Sequence, residues 1–342
     1  MKNCLSFDDV LLTPRYSDIA SRKEINLSTT LGRNRSFSLP IISSPMDTVT
    51  EDAMAIEMSN HGGLGVIHRY NSIEEQCEII RKAKFNDANL STAAAAIGVS
   101  GDFMERAQEL YKVGIRIFCV DIAHGHHALM RHALKVLRNT YGYDIHIMAG
   151  NVATREGYED LASWGADSVR VGIGGGSICS TRIQTGHGMP TLQSVIECSE
   201  SHLAGDVPII ADGGIKNSGD MVKALAAGAD FVMVGSLLAG TNETPGGVYT
   251  SQGRQLKVYR GMASKDAQME WRGHTSSIEG VTSSVPARGP VSTVLEELTT
   301  GIRSGFSYSG CRNITELQTY SKFIGQTTAG SKESSTHILN RS

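Results

Sequence analysis

Gly165-Ala-Asp-Ser-Val-Arg-Val-Gly172 and Gly228-Ala-Asp-Phe-Val-Met-Val-Gly235 are two copies of one phrase. Each reads as a helix end, a glycine turn, a buried strand, and a second glycine where the strand opens into a loop. Outward from these copies, short β-rich runs alternate with longer helical stretches. The pattern predicts strands near 40–46, 65–68, 93–99, 116–123, 144–152, 167–173, 207–214 and 231–236. It predicts helices at 103–113, 127–141, 155–164, 220–227 and 292–303, among others. Eight strands alternating with helices point to a parallel (β/α)₈ TIM barrel, an α/β fold in a single domain. Periodicity alone leaves an open parallel sheet as the alternative.

The bulk properties agree with one large enzyme-like domain. The chain has 342 residues, is 40% hydrophobic and contains 37 glycines, enough to bury a core without disulfides or metals. A formal net charge of −3 gives no electrostatic case for nucleic acid or membrane as partner. Asp8 and Asp9 interrupt the opening stretch, so no leader is expected, and no run approaches the roughly 18 apolar residues of a membrane span. The six cysteines, at 4, 77, 119, 179, 198 and 311, lack the spacing of a disulfide framework or a zinc site. A cytoplasmic location is the expectation. Residues 241–288 read as long loops with a flap around 261–280, and 327–342 as a flexible tail after a barrel domain of 1–326.

The residues with chemistry follow the predicted strand ends, the face that carries function in barrels. Val171-Gly-Ile-Gly-Gly-Gly-Ser-Ile-Cys-Ser-Thr-Arg182 places Cys179 in a glycine-rich loop, where a thiolate can attack an electrophilic carbon. An incidental buried thiol is the other reading. Ala211-Asp-Gly-Gly214 and Val234-Gly-Ser236 are glycine turns after the seventh and eighth strands, a recurrent phosphate cradle. Asp212 can accept from ribose hydroxyls or cap the next helix. Ser177 and Tyr259 offer hydroxyl donors, while Met46 and Met262 lie beside candidate ligand loops. His124-Gly-His-His127 invites a metal reading, but a helix start explains it better because no partner ligand has matching spacing.

At these residues the chain resembles the IMP dehydrogenase/GMP reductase family over nearly its whole length. The resemblance rests on Leu5-Ser-Phe-Asp-Asp-Val-Leu-Leu12, Ser43-Ser-Pro-Met-Asp-Thr-Val49, Ala149-Gly-Asn-Val152, Gly176-Ser-Ile-Cys179, Ile210-Ala-Asp-Gly-Gly214 and Tyr259-Arg-Gly-Met262. It implies that Cys179 adds to carbon 2 of a purine nucleotide and that a nicotinamide cofactor exchanges hydride there. It also implies a homotetramer and a K⁺ site on the carbonyls of Gly174, Gly176 and Cys179, with Arg182 close by. Ser177, Asp212, Gly213, Gly214, Gly235, Ser236 and Tyr259 would hold ribose and phosphate. Ser44, Met46, Gly261, Met262 and Gly280 would surround the base. Asp121, Asn151 and Arg69 would face the cofactor, Arg69 meeting the 2′-phosphate of NADPH or remaining a solvated loop cation.

Two branches of the family are in play. The reductase pattern pairs Thr181 with Glu279 to protonate ammonia leaving GMP, which is sound general-acid chemistry. Residues 261–280 contain no Arg-Tyr pair of the kind that activates water in the dehydrogenase flap, and 73–93 leave no room for a large inserted domain. Asp121-Ile-Ala-His-Gly125 and Tyr259-Arg-Gly-Met262 follow the dehydrogenase wording instead. The expectation is a GMP reductase converting GMP to IMP and ammonia with NADPH. An IMP dehydrogenase that oxidises IMP to XMP with NAD is the alternative; a nucleotide-sensing barrel without turnover is a third reading, disfavoured by intact Cys179, Thr181 and Glu279.

Overall fold

The computed structural model describes residues 3–32, 35–84 and 93–334. All eight expected barrel strands form: β1 (Ile41–Ser43), β2 (Leu64–Ile67), β3 (Ala93–Ile97), β4 (Ile117–Asp121), β5 (His146–Val152), β6 (Ser168–Val171), β7 (Ile209–Asp212) and β8 (Phe231–Val234). Every neighbouring pair is parallel. The open-sheet alternative fails because β8 pairs with β1, Val232 opposite Ile41 and Val234 opposite Ser43. A helix follows each strand in turn: α1 (Asp52–Asn60), α2 (Ile73–Lys84), α3 (Phe103–Lys112), α4 (Ala128–Tyr141), α5 (Arg155–Ser163), α6 (Thr191–Ser199), α7 (Ser218–Ala226) and α8 (Val291–Ser309). No helix among the described residues is long and apolar enough to cross a membrane.

Strand alternation sorts the apolar residues into two layers. Ile42, Val66, Ala94, Ala96, Ile117, Cys119, Met148, Ile210 and Met233 fill the barrel interior. Their neighbours Ile41, Ala95, Phe118, Val120, Ile147, Val169 and Val232 belong to the core shared with the helices. Phe37, on a short hairpin before β1, closes the floor edge-on against Phe231, with ring centroids 5.7 Å apart. Burying a phenylalanine in this way is worth about 3 kcal/mol. The repeated phrase is a true structural repeat, since Gly165 and Gly228 adopt nearly the same left-handed backbone, with φ of 111° and 112°. That conformation is easy only for glycine.

Two expectations need correction. The stretch 241–288 is more than loops: Tyr249–Ser251, Arg254–Arg260 and Thr282–Pro286 make a three-stranded antiparallel sheet, and Lys265–Arg272 is a helix. The strand escaped sequence reading because its polarity is inverted. Lys257 is 3% exposed, its ammonium donating to the carbonyls of Thr241 and Thr244 at 3.1 and 2.5 Å, while Val258 is 41% exposed. The expected tail from 327 begins instead with a helix, Thr328–Glu333, capped by Thr327. Residues 335–342 lie outside the described residues.

Candidate active site

The C-terminal ends of the strands surround a cavity of about 270 Å³. Of the predicted site residues, Ser44, Met46, Asp121, Asn151, Gly174, Gly176, Ser177, Cys179, Thr181, Asp212, Gly213, Gly214, Gly235, Ser236, Tyr259, Gly261, Met262, Glu279 and Gly280 all line it. Arg69 and Arg182 do not.

The loop after β6 carries Cys179 to the cavity, and the Cys179 amide donates back to the Gly176 carbonyl at 3.1 Å. The flap base locks onto this loop like a strand pair. Ser180 N donates to Glu279 O at 2.9 Å and Val281 N to Ile178 O at 3.0 Å, so Cys179 faces Gly280. Side chains then form a directed chain: the Cys179 thiol lies 3.2 Å from Thr181 Oγ1, and the Thr181 hydroxyl donates to Glu279 Oε2 at 2.7 Å. Cys179 is partly exposed, whereas Cys77, Cys119, Cys198 and Cys311 are buried. Burial pushes the thiols of Cys119 and Cys198 up to about 12, so neither is a nucleophile at neutral pH.

Opposite the thiol, Gly213 and Gly214 take left-handed conformations after β7, with φ of 89° and 78°, bringing the main chain up to the cavity. Burial raises the pKa of the Tyr259 phenol, against the opposing pull of the nearby Ser177 and Ser236 hydroxyls. Ser44 N donates to Val234 O at 3.0 Å, stitching the ends of β1 and β8. A side chain on Gly235 would come within 3.0 Å of Met46 Sδ, 3.1 Å of Tyr259 Oη and 3.4 Å of Ser44 Oγ. Those groups therefore meet at one wall. Met262 Sδ accepts from Asp47 N at 3.4 Å.

Sequence reading missed Arg170. Its guanidinium, 7% exposed, donates to Asp121 Oδ1 at 2.6 Å and to Asp212 Oδ2 at 2.8 Å. Burial opposes its charge, and Cys119, Asp212 and Asp121 more than offset that. Asn151 Nδ2 adds a second donor to Asp212 Oδ2 at 2.8 Å and bonds Gly172 O at 2.9 Å. One arginine thus bridges two candidate ligand carboxylates. The available signal was the comparison of the two repeats, in which Arg170 stands where the second copy has Met233 in a buried strand. Asp212 does not cap a helix, because Asn217 caps α7.

Arg69 lies behind Asp121 rather than in the cavity wall. Its Nη2 donates to the Asp121 carbonyl at 3.1 Å, and at 12% exposure it is no solvated cation. Arg182 folds over the glycine loop, donating to Met189 O at 2.6 Å. His127 caps α4 by accepting from Leu129 N, and His126 pairs with Asp160 at 2.8 Å. No group of three or more metal-ligating side chains occurs among the described residues.

The family model for the IMP dehydrogenase/GMP reductase domain matches residues 4–337. A GMP reductase of Trypanosoma brucei, solved in complex with guanosine 5′-monophosphate, superposes with a TM-score of 0.94 at 32% identity, covering 99% of each chain. An inosine-5′-monophosphate dehydrogenase of Nitrosopumilus maritimus is 34% identical over 98% of both chains, and a GMP reductase of Leishmania major is 33% identical over 98% of this chain and 97% of its own. These two alignments run over 471 and 478 positions, more than the 342 residues present here. Relatives named for either activity therefore carry segments without a counterpart in this chain, and the lack of an insertion does not separate the branches. The cysteine loop, the glycine turns and the closed barrel are those of a known lineage: the chain belongs to the IMP dehydrogenase/GMP reductase family, oxidoreductases that act on purine nucleotides with a nicotinamide dinucleotide.

Proposed function

We propose that the protein is a GMP reductase, converting GMP to IMP and ammonia with NADPH through a covalent Cys179 adduct. The observation that carries this reading is the unbroken chain from the Cys179 thiol through the Thr181 hydroxyl to the Glu279 carboxyl. The Cys179 sulfur adds to carbon 2 of the purine. The thiol proton passes through the Thr181 hydroxyl to Glu279 as the sulfur adds, and the 2-amino group takes it back by the same route and leaves as ammonia, so that a Cys179 thioimidate remains. When bound, a nicotinamide dinucleotide would supply hydride to carbon 2; the sulfur would then leave as the thiolate, taking up a proton from solvent, as IMP is released. Ser177, Ser236, Tyr259 and the turns at Gly213-Gly214 and Gly235 hold the phosphate. Asp212 takes the ribose, its Oδ2 fixed by Arg170 and Asn151 so that Oδ1 remains for hydroxyls. Ser44, Met46, Gly261, Met262 and Gly280 enclose the base.

The cofactor side fits a dinucleotide ribose, since Asp121 spends Oδ1 on Arg170 while its Oδ2 stands 4.0 Å from Arg69 Nε. Arg69 is already committed to the Asp121 carbonyl, which leaves Nη1, beside Gly98, for a 2′-phosphate. For K⁺, the carbonyls of Gly174, Gly176 and Cys179 suit a hard cation, and Gly176 retains a lone pair beyond the one used by the Cys179 amide. Arg182 offers only its main-chain oxygen, already accepting from Gly186 N at 3.1 Å, because a guanidinium has no acceptor. A cytoplasmic homotetramer completes the proposal.

The dehydrogenase reading keeps its support in the wording of Asp121–Gly125, Tyr259–Met262 and the amino-terminal stretch through Met46. An absorbance assay at the nicotinamide band decides between them. GMP with NADPH is expected to consume absorbance; IMP-dependent reduction of NAD⁺, with no GMP-dependent oxidation of NADPH, would overturn the reductase assignment.

A further inference from the structure

We infer that Trp271 and Gln268 are positioning residues for Glu279: the flap helix sets where this carboxyl lies, and with it the Thr181–Cys179 chain. The inference rests on the reading of Glu279 as proton donor. The helix Lys265–Arg272 starts at Ser264, whose hydroxyl accepts from Ala267 N at 3.3 Å, and ends at Gly273. Eight residues do not hold a helix in water by themselves, so its position depends on what seats it.

Two contacts do so. The Trp271 ring lies 4.6 Å from the ring of Tyr70, the residue that follows Arg69 after β2. The Arg69 guanidinium stands over both rings, 5.2 Å from Tyr70 and 5.5 Å from Trp271. On the same helix Glu270 pairs with Arg260 at 2.6 Å, and Arg260 Nε also donates to Asp47, in the loop after β1, at 2.9 Å. The helix is thereby registered against loops that leave the rigid barrel.

Gln268 passes that position on. It is 4% exposed, and its side chain is bonded at both ends. Nε2 donates to Ala263 O at 3.1 Å and Ser277 O at 2.8 Å; Oε1 accepts from Ser276 N at 2.7 Å. The strap it holds runs directly to Glu279, whose amide donates to the same Ala263 carbonyl at 3.0 Å. Among the described residues, the hydrogen bonds that tie 276–277 to the helix all run through Gln268. A shift of the helix would therefore appear as a longer Thr181–Glu279 contact, and misplacement of a reacting group by about 1 Å costs roughly 10²-fold in rate.

The test uses the full chain. The protein has two tryptophans, and Trp164 lies outside the site beside His126, so W164F leaves Trp271 as the single tryptophan, read selectively by excitation at the red edge. In that background Trp271→Ala is expected to lower kcat for GMP about 10²-fold with little change in KM, and Trp271→Phe to restore most of it. Tyr70→Ala should raise acrylamide quenching of Trp271. Gln268→Leu should lower kcat as Trp271→Ala does while leaving that quenching unchanged, which separates seating from transmission. If Glu279→Gln is inactive but Trp271→Ala and Gln268→Leu keep kcat within a few-fold of the parent, the positioning inference is wrong. Full activity in Glu279→Gln would instead remove the underlying reading.

Discussion

Three side chains of the candidate site, Cys179, Glu279 and Arg170, each make a distinct prediction. Cys179→Ser is expected to abolish turnover while leaving GMP binding largely intact, because a serine hydroxyl is a far weaker nucleophile at neutral pH. Rates together with calorimetric GMP affinity check this, and near-normal turnover would end the covalent scheme. Glu279→Gln should slow ammonia release by about 10²–10⁴, with GMP affinity much less affected; rapid-quench measurement of ammonia reads it directly. Arg170→Met removes the guanidinium between two carboxylates that both lie under 20% exposed. Breaking a buried pair in this way costs about 3–5 kcal/mol, so thermal unfolding should move to clearly lower temperature. Adding Asp121→Asn should recover part of the loss, since one of the two stranded charges is then gone. A double variant no more stable than Arg170→Met alone would show that charge is not the cause.

At the scale of elements, strands and loops differ in how openly the sequence declared them. The barrel strands are mostly apolar on both faces, as parallel strands between core and helices tend to be, and they stood out between the turns. The small sheet over the mouth did not, because Lys257 points inward and Val258 outward, against the usual polarity. The site shows the same division. Cys179, Asp212 and the glycine turns announce themselves through local motifs, and all line the cavity. Arg170 and Tyr70 do not, since their contacts, with Asp121 and Asp212 for the first and Trp271 for the second, join residues distant in the chain. Arg69 carries the same lesson: its charge was legible, but its bond to the Asp121 carbonyl joins positions far apart in the chain.

For the molecule as a whole, one buried acid sets a pH dependence. Burial pushes the carboxyl of Asp230 up to about 7, against the pull of the Ile209 amide, which donates to it at 2.8 Å. A folded pKa above the unfolded one means that the native state binds the proton more tightly. This contribution to stability is complete below about pH 4 and is lost as pH rises through 7. Partial exposure of the residue makes the slope shallower than full burial would. Asp230→Asn keeps an acceptor for the amide and is expected to flatten the fall in unfolding temperature between pH 5 and 8; an unchanged slope would assign it to other groups. Two segments far apart in the chain also meet: Val10–Leu12 pairs with Phe323–Gly325, and just before this strand Phe7 lies beneath Gly214 in the turn after β7. During translation the clasp therefore forms only after the eight barrel strands have been made. A ribosome that has released all eight barrel strands and the Cys179 loop holds a barrel whose residues 10–12 still lack their partner, so Phe7 is seated under Gly214 only once residues 323–325 have followed.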